Sequence, residues 1–224
     1  MSAPPLANEQ AARHYVAGLA DDAAMERLEA LIAALLEENR LQNLISKASE
    51  AQIWQRHIAD SAQLLHFVPR ETSGTSGGTW LDLGTGAGFP GLVIAAIEPE
   101  RDVVLVESRA RRVEWLARMV EALELPRVRV EGVRLEMVKS FPARIISARA
   151  FAPLPRLLKL SAPFSTKATT YLLPKGRSAA QELQEMPSRI RRMFHVEQSL
   201  TDAEAGIIIG GPMQGAMQEG ETSP

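Results

Sequence analysis

The run WLDLGTGAGFPG, residues 80–91, constrains the fold of this chain more than any other stretch. An apolar strand pattern ends directly in Gly84, Gly86 and Gly88, and a helical pattern follows Pro90. Glycines at such a junction let the backbone turn tightly and come close to a ligand, and the helix start offers N–H groups without intrahelical partners. Beyond the loop, β-rich runs alternate with helical stretches. Strands are predicted at 79–83, 102–107, 127–131, 144–148, 169–173, 194–198 and 206–210, with a helix from Arg109 to Leu123 whose apolar face carries Val113, Leu116, Val120 and Leu123. Alternation of this kind means parallel βαβ units, so the expected fold class is α/β, a doubly wound, Rossmann-like sheet. Too few residues separate the last two strands for a helical crossover, and they should form an antiparallel hairpin at the sheet edge.

Ahead of the loop the grammar is helical. Met25, Leu28, Leu31, Ile32, Leu35, Leu36 and Leu41 recur at spacings of three and four, which predicts a helix from Asp21 to Leu44 capped by Asp21 or Asp22. A second helical segment is expected from about Glu50 to Phe67, and the glycine- and serine-rich 70–78 reads as a flexible joint. The expected organisation is a helical N-terminal extension over 1–69, a core over 79–210, and a tail over 211–224 with too little apolar surface to order.

Composition narrows the chemistry. The chain has no cysteine, which removes disulfides, thiolate metal sites and cysteine nucleophiles; no metal site is expected, and a reducing cytoplasm fits. The N-terminal residues lack a basic and apolar leader pattern, and no run is long enough to span a membrane, so a soluble, cytoplasmic protein is expected; it is taken as a monomer, a state these features do not fix. With 25 basic against 27 acidic side chains, the molecule as a whole is no polycation, and nucleic-acid binding would need a local patch.

Two ligands suit the glycine loop. Gly86, Gly88 and Gly91 spell GxGxxG, and Glu107 ends the next predicted strand, as in nicotinamide dinucleotide sites. Asp82, Gly84, Gly86 and Gly88 equally spell the acidic-x-Gly-x-Gly-x-Gly loop of S-adenosylmethionine (AdoMet) methyltransferases, in which Glu107 would accept the ribose hydroxyls. The loop by itself leaves both open. Tyr171 and Lys175 have the Tyr-x-x-x-Lys spacing of short-chain reductases, but YLLPKG is strand-like and carries Pro174, which would break the helix that chemistry needs. An oxidoreductase and a non-catalytic RNA-binding module are therefore the alternatives to a methyltransferase.

Lack of cysteine excludes C5 methylation of a pyrimidine by thiolate attack, and ISARAFAPL after strand four lacks the Asn/Asp-Pro-Pro-aromatic sequence of exocyclic amine methylation. Guanine N7 has a free lone pair and no proton, so its methylation needs alignment and desolvation but no general base. Arg149, just past strand four, is the candidate catalytic residue, able to hold guanine or phosphate. Lys175 and Arg177 lie at the same predicted edge and are RNA-contact candidates, as are Arg56 and His57 of RHIADS, where Arg56/Asp60 and His57/Ser61 have i,i+4 spacing. Arg109, Arg111 and Arg112, a basic cluster at a helix start, are a weaker RNA-contact candidate, since charges on a helix are usually its solvated face.

Taken together, NLIS (43–46), RHIADS (56–61), LDLGTGAGFPG (81–91), LVESRARRVEWL (105–116), RAFAPL (149–154) and LPKG (173–176) resemble the bacterial 16S rRNA guanine-N7 methyltransferases known as small-subunit rRNA methyltransferase G or glucose-inhibited division protein B. The resemblance implies a class I methyltransferase fold, AdoMet as methyl donor, and as substrate a guanine in the 530 loop of 16S rRNA, free or within the small ribosomal subunit. It places cofactor contacts on Gly84, Phe89, Leu135, Glu136 and Arg149. GVRLE at 132–136 departs from the more usual Gly-Arg-Ala-Glu, which leaves the Leu135/Glu136 register open by one residue.

Overall fold

A computed structural model describes residues 6, 8–68 and 77–212; most of the predicted joint and nearly all of the predicted tail lie outside them. Helix α1 spans Glu9–Ala17, and α2 spans Asp22–Glu38, capped by Asp21, whose carboxylate accepts from the Ala24 N–H at 2.7 Å. The predicted extension of α2 to Leu44 does not occur. Asn39 Oδ1 accepts from the N–H groups of Leu44 and Ile45, turning the chain, and Leu41 is left 76% exposed. The second predicted helical segment is broken into α3 (Lys47–Glu50), a π-helical segment (Trp54–Ala59), α4 (Asp60–Ala62) and a 3-10 turn (Gln63–Phe67). A π segment is uncommon and often marks a functional site.

All seven predicted strands are present: β1 (Trp80–Leu83), β2 (Val103–Val106), β3 (Val128–Glu131), β4 (Ala143–Ala148), β5 (Ser165–Gly176), β6 (Phe194–Gln198) and β7 (Gly206–Gly210). Helices α5 (Gly91–Ile97), α6 (Ala110–Ala122), α7 (Leu154–Ser161), α8 (Ala179–Gln184) and α9 (Ser188–Arg191) connect them. The sheet order is β3-β2-β1-β4-β5-β7-β6. Strands β1 to β5 are parallel, and β7 runs antiparallel to both β5 and β6. The predicted hairpin is therefore real, but its second strand is inserted inside the sheet and its first forms the edge. The dinucleotide-binding order 3-2-1-4-5-6 has no such inserted strand.

Strand alternation sorts the core onto two faces. Trp80, Val103, Leu105, Ile145, Leu172 and Ile207 point to one, and Leu81, Leu83, Val104, Val106, Ile146 and Leu173 to the other. On the first face the N-terminal residues Leu28, Leu31, Leu35 and Ile58 share one hydrophobic cluster with Leu92, Ile94, Trp115 and Leu116 of α5 and α6. Continuity of that cluster fixes the RHIADS segment against the sheet.

Register sets the site. Leu83 pairs with Val106 of β2 and Ala148 of β4, so the next residue in each chain segment, Gly84, Glu107 or Arg149, emerges at the same sheet edge. Strand order reverses between β1 and β4, and such a switch point is where open α/β sheets bind ligands.

Candidate active site

The glycine loop is held from beneath. Gly84 and Gly88 have φ of +62° and +108°, which side chains with a Cβ adopt only at a cost. Asp82 is fully buried. One carboxylate oxygen accepts from the Gly91 N–H at 3.1 Å and the other from the Ser147 hydroxyl at 2.8 Å, while Ser147 accepts from the Trp80 indole at 2.7 Å. Burial pushes this carboxyl above its ordinary value, and the hydrogen bonds from Ser147 and Gly91 oppose that shift. Asp82 thus ties the loop and the start of α5 to β4, and its side chain lines neither of the two clefts described next. The helix-start N–H of Gly91 is satisfied by Asp82.

Two clefts flank the residues that follow β4. The smaller, of about 440 Å³, is walled by Gly84, Glu107, Leu135, Glu136, Ala150 and Phe151 among others. Glu107 accepts from Ser108 N–H (2.7 Å), Arg109 N–H (2.9 Å) and Gly86 N–H (3.2 Å), and stands 3.7 Å from the Arg112 guanidinium. Leu135 is buried and Glu136 exposed. Four of the predicted cofactor contacts, Gly84, Glu107, Leu135 and Glu136, are therefore brought to one cavity. Asp82, Gly86, Gly88 and Phe89 are not among its walls, and Arg149 lines the other cleft.

The larger cleft, about 910 Å³, is walled by Arg149 with Ser49, Arg56, His57 and Asp60 of the N-terminal region and by Lys175 and Asp202. Arg149 donates from Nη1 to the Arg56 carbonyl (3.1 Å), lies 3.4 Å from Asp60 Oδ2, and donates from Nη2 to His57 Nδ1 (3.1 Å). Its guanidinium also sits over the Phe89 ring, and the His57 ring stacks on that same ring at 5.1 Å. Because Nδ1 accepts, the proton of a neutral His57 is on Nε2, which donates to Ser49 Oγ at 2.9 Å. The Arg56/Asp60 side-chain pair read from the sequence is replaced, and Ser61 meets the backbone of His57 and not its ring. Arg56 faces Asp202 at 3.9 Å, Asp60 faces Arg149, and Ser61 donates to the His57 carbonyl. The π turn and the β4 end override helical spacing, and the RHIADS side chains become a socket for Arg149.

Burial, with Arg149 and then Arg56 nearby, lowers the His57 pKa from 6.5 to about 3. A histidine that protonates more easily unfolded than folded stabilises the fold fully above pH 6.5 and progressively less as pH falls toward 3. Between pH 7.5 and 5.5 wild type should lose about 1.4 kcal/mol more stability than His57→Gln, measured by urea unfolding at the two pH values. Equal losses would show that His57 is not held neutral.

The remaining predicted RNA contacts are engaged by the protein. The Lys175 side chain is 7% exposed and donates to the Ala152 carbonyl (2.7 Å) and to Glu182 (2.9 Å), pinning the segment after β4. Burial acts to raise the Glu182 pKa, but hydrogen bonds from Lys175 and Ser178 prevail and lower it. Arg177 pairs with Glu204 and lines neither cleft. Lys175→Ala is expected to cost about 1–3 kcal/mol through the unpaired Glu182 and Ala152 groups and to leave the salt dependence of RNA binding unchanged. A shallower salt slope would restore a phosphate role. Tyr171 lies on β5, and the short-chain reductase arrangement is absent there.

Ala150, Phe151 and Ala152 line both clefts, and the sequence reading singled out none of them individually. Ala150 has φ of +53°, and a Cβ on Gly84 would come within 2.5 Å of the Phe151 ring. This segment is the partition between the clefts. RAFAPL was its only sequence signal.

A family model for rRNA small subunit methyltransferase G matches residues 24–206. The chain belongs to that family. A ribosomal RNA small subunit methyltransferase G of Erythrobacter litoralis is 60% identical over 205 residues, covering 92% of this chain and 97% of the relative. One of Novosphingobium aromaticivorans is 58% identical over 195 residues, 87% and 84% of the two chains. The fold is shared with distant solved structures. A fibrillarin/Nop5p complex superposes with a TM-score of 0.53 at 14% identity, covering 70% of this chain and 81% of that one. A precorrin-6y C5,15-methyltransferase of Geobacter metallireducens gives 0.52 at 11% identity, with 76% and 91% covered. The chain is thus an AdoMet-dependent rRNA methyltransferase of class I fold, and the dinucleotide reading of the loop is set aside.

The smaller cleft fits AdoMet. Its volume lies within the usual range for small-ligand sites, and the Glu107 carboxylate at the end of β2 and the Gly84 backbone both stand on its wall.

Proposed function

We propose that this methyltransferase modifies N7 of a guanine in the 530 loop of 16S rRNA. The observation that carries the reading is the condition of the ionisable groups around Arg149. His57 has both ring nitrogens committed, and Asp60 accepts from Thr201 (2.8 Å) and Gln63 (2.9 Å) and faces Arg149. His57, the imidazole beside Arg149, is therefore not placed to act as a general base, and N7 methylation requires none. The resemblance of RHIADS, GAGFPG and RAFAPL supports the same substrate.

Bound in the smaller cleft, AdoMet would supply an electrophilic methyl group on a sulfonium. Glu107 would accept the ribose hydroxyls once its bond to Gly86 is exchanged, and Gly84, Leu135 and Glu136 would hold the cofactor along the same cleft. The larger cleft would receive the guanine. As the methyl moves, positive charge moves onto the ring, so a guanidinium stacked there would oppose transfer. Arg149 is better used on an anion, either the methionine carboxylate or a phosphate of the target nucleotide. Residues 1–69 serve in this reading as the extension that builds the Arg149 socket, and the protein works as a cytoplasmic monomer.

Mass-spectrometric mapping of 16S rRNA from cells with and without the gene tests the position directly. A 7-methylguanine in the 530 loop that disappears with the gene is the expected result; loss of a methyl group elsewhere would refute the assignment. Guanine N7 lies on the deep, narrow major-groove edge of A-form RNA, so the base should be in a loop or flipped out. Small-subunit particles should accept labelled methyl groups at least about tenfold faster than a short 530-loop hairpin. Equal rates would contradict dependence on RNA shape.

A further inference from the structure

The main cations chosen from sequence as RNA contacts are paired with protein acids or buried, whereas Arg109, of the weaker cluster read from the sequence, is not, and the structure sets two further arginines on the same cleft. Arg109 at the start of α6, Arg134 before the 3-10 turn Leu135–Met137, and Arg156 in α7 are exposed, and none forms an ion pair among the described residues. They come from three elements far apart in the chain, yet all line the smaller cleft. Arg112, on the same rim, is occupied by Glu107. Glu136 is the exposed carboxylate beside them, and Val133, 40% exposed, adds an apolar contact. Unpaired guanidinium groups gathered on one rim of a protein with net charge −2 make a local anionic docking surface that the overall charge does not supply.

We infer that the backbone of the rRNA substrate lies across the mouth of the cofactor cleft, its phosphates held by Arg109, Arg134 and Arg156, so that AdoMet must enter before the RNA and the demethylated product leaves after it. This rests on the rRNA methyltransferase assignment and not on which base atom is methylated. Arginine suits the role because its planar fork binds phosphate oxygens in pairs. All three line the cleft that also holds Glu107 and Leu135, so a polyanion bridging them would cover it.

The test uses the full chain, S-adenosylhomocysteine and small ribosomal subunits from cells lacking the gene. Binding to subunits is measured across a range of KCl concentrations for wild type and for Arg109→Gln/Arg134→Gln/Arg156→Gln. The slope of log affinity against log salt should fall by about 2, near 0.7 per lost phosphate contact, and the corresponding triple lysine variant should recover most of it. Calorimetric S-adenosylhomocysteine affinity should stay within about twofold of wild type, which also shows that the variant is folded. Subunits should slow exchange of bound S-adenosylhomocysteine at least about tenfold in wild type and not in the glutamine variant. An unchanged salt slope, a parallel loss of S-adenosylhomocysteine affinity, or exchange indifferent to subunits would each overturn the inference. Mapping that moved the methyl group to another base atom would leave this binding test intact.

Discussion

Arg149→Ala is expected to lower methyl transfer to small-subunit particles at least about a hundredfold, since small displacements of a positioning group can cost that much. Alanine removes the group that joins the Arg56 carbonyl, Asp60 and His57 at the end of β4, and it leaves each of those acceptors with one donor fewer. Stability should fall as well, by about 1–3 kcal/mol. Single-turnover rates at saturating AdoMet separate the two effects. If the anion held by Arg149 is the methionine carboxylate, AdoMet affinity falls first; if it is a nucleotide phosphate, the concentration of particles needed for half-maximal rate rises with AdoMet binding intact. Arg149→Lys keeps the charge but not the fork, and should recover only part of the rate. Wild-type turnover in Arg149→Ala would remove the residue from the site.

Gly84→Val should abolish measurable AdoMet binding, a loss of at least about a hundredfold by calorimetry, for two separable reasons. At φ of +62° a β-branched residue is strained by about 1–2 kcal/mol. Its Cβ would also press on the Phe151 ring and force the partition between the clefts to move. Pairing Gly84→Ala with Phe151→Ala relieves the second effect and not the first, so partial recovery of binding in that double variant is expected. Gly86→Val is less severe sterically, because only Arg112 and the Gly84 carbonyl come near its Cβ, at 3.6 and 3.8 Å. At Gly88 a Cβ would collide with Leu92, so substitution there acts mainly on folding. Full AdoMet affinity in Gly84→Val would take this loop out of the cofactor site.

The sequence by itself determined the strands, their alternation with helices and the place of the glycine loop, because each is written in spacings of a few residues: apolar periodicity, a strand running into glycines, a carboxylate ending the next strand. It also carried the family, through short motifs in a fixed order. Only the tertiary structure decided what the charged residues do. Arg56 and Asp60 have a helix-pair spacing, and Lys175 looks like a free loop cation, yet a π turn and the β4 end send Asp60 to Arg149, while Lys175 is drawn to Ala152 and Glu182. The partners of Arg149 lie 89 to 93 residues away in the chain, and the three unpaired arginines meet only because α6, the turn after β3 and α7 open onto one cleft. A charge senses whatever lies within a few ångströms in space, at any separation along the chain, so local pattern reveals where elements form but not which ions they bring together.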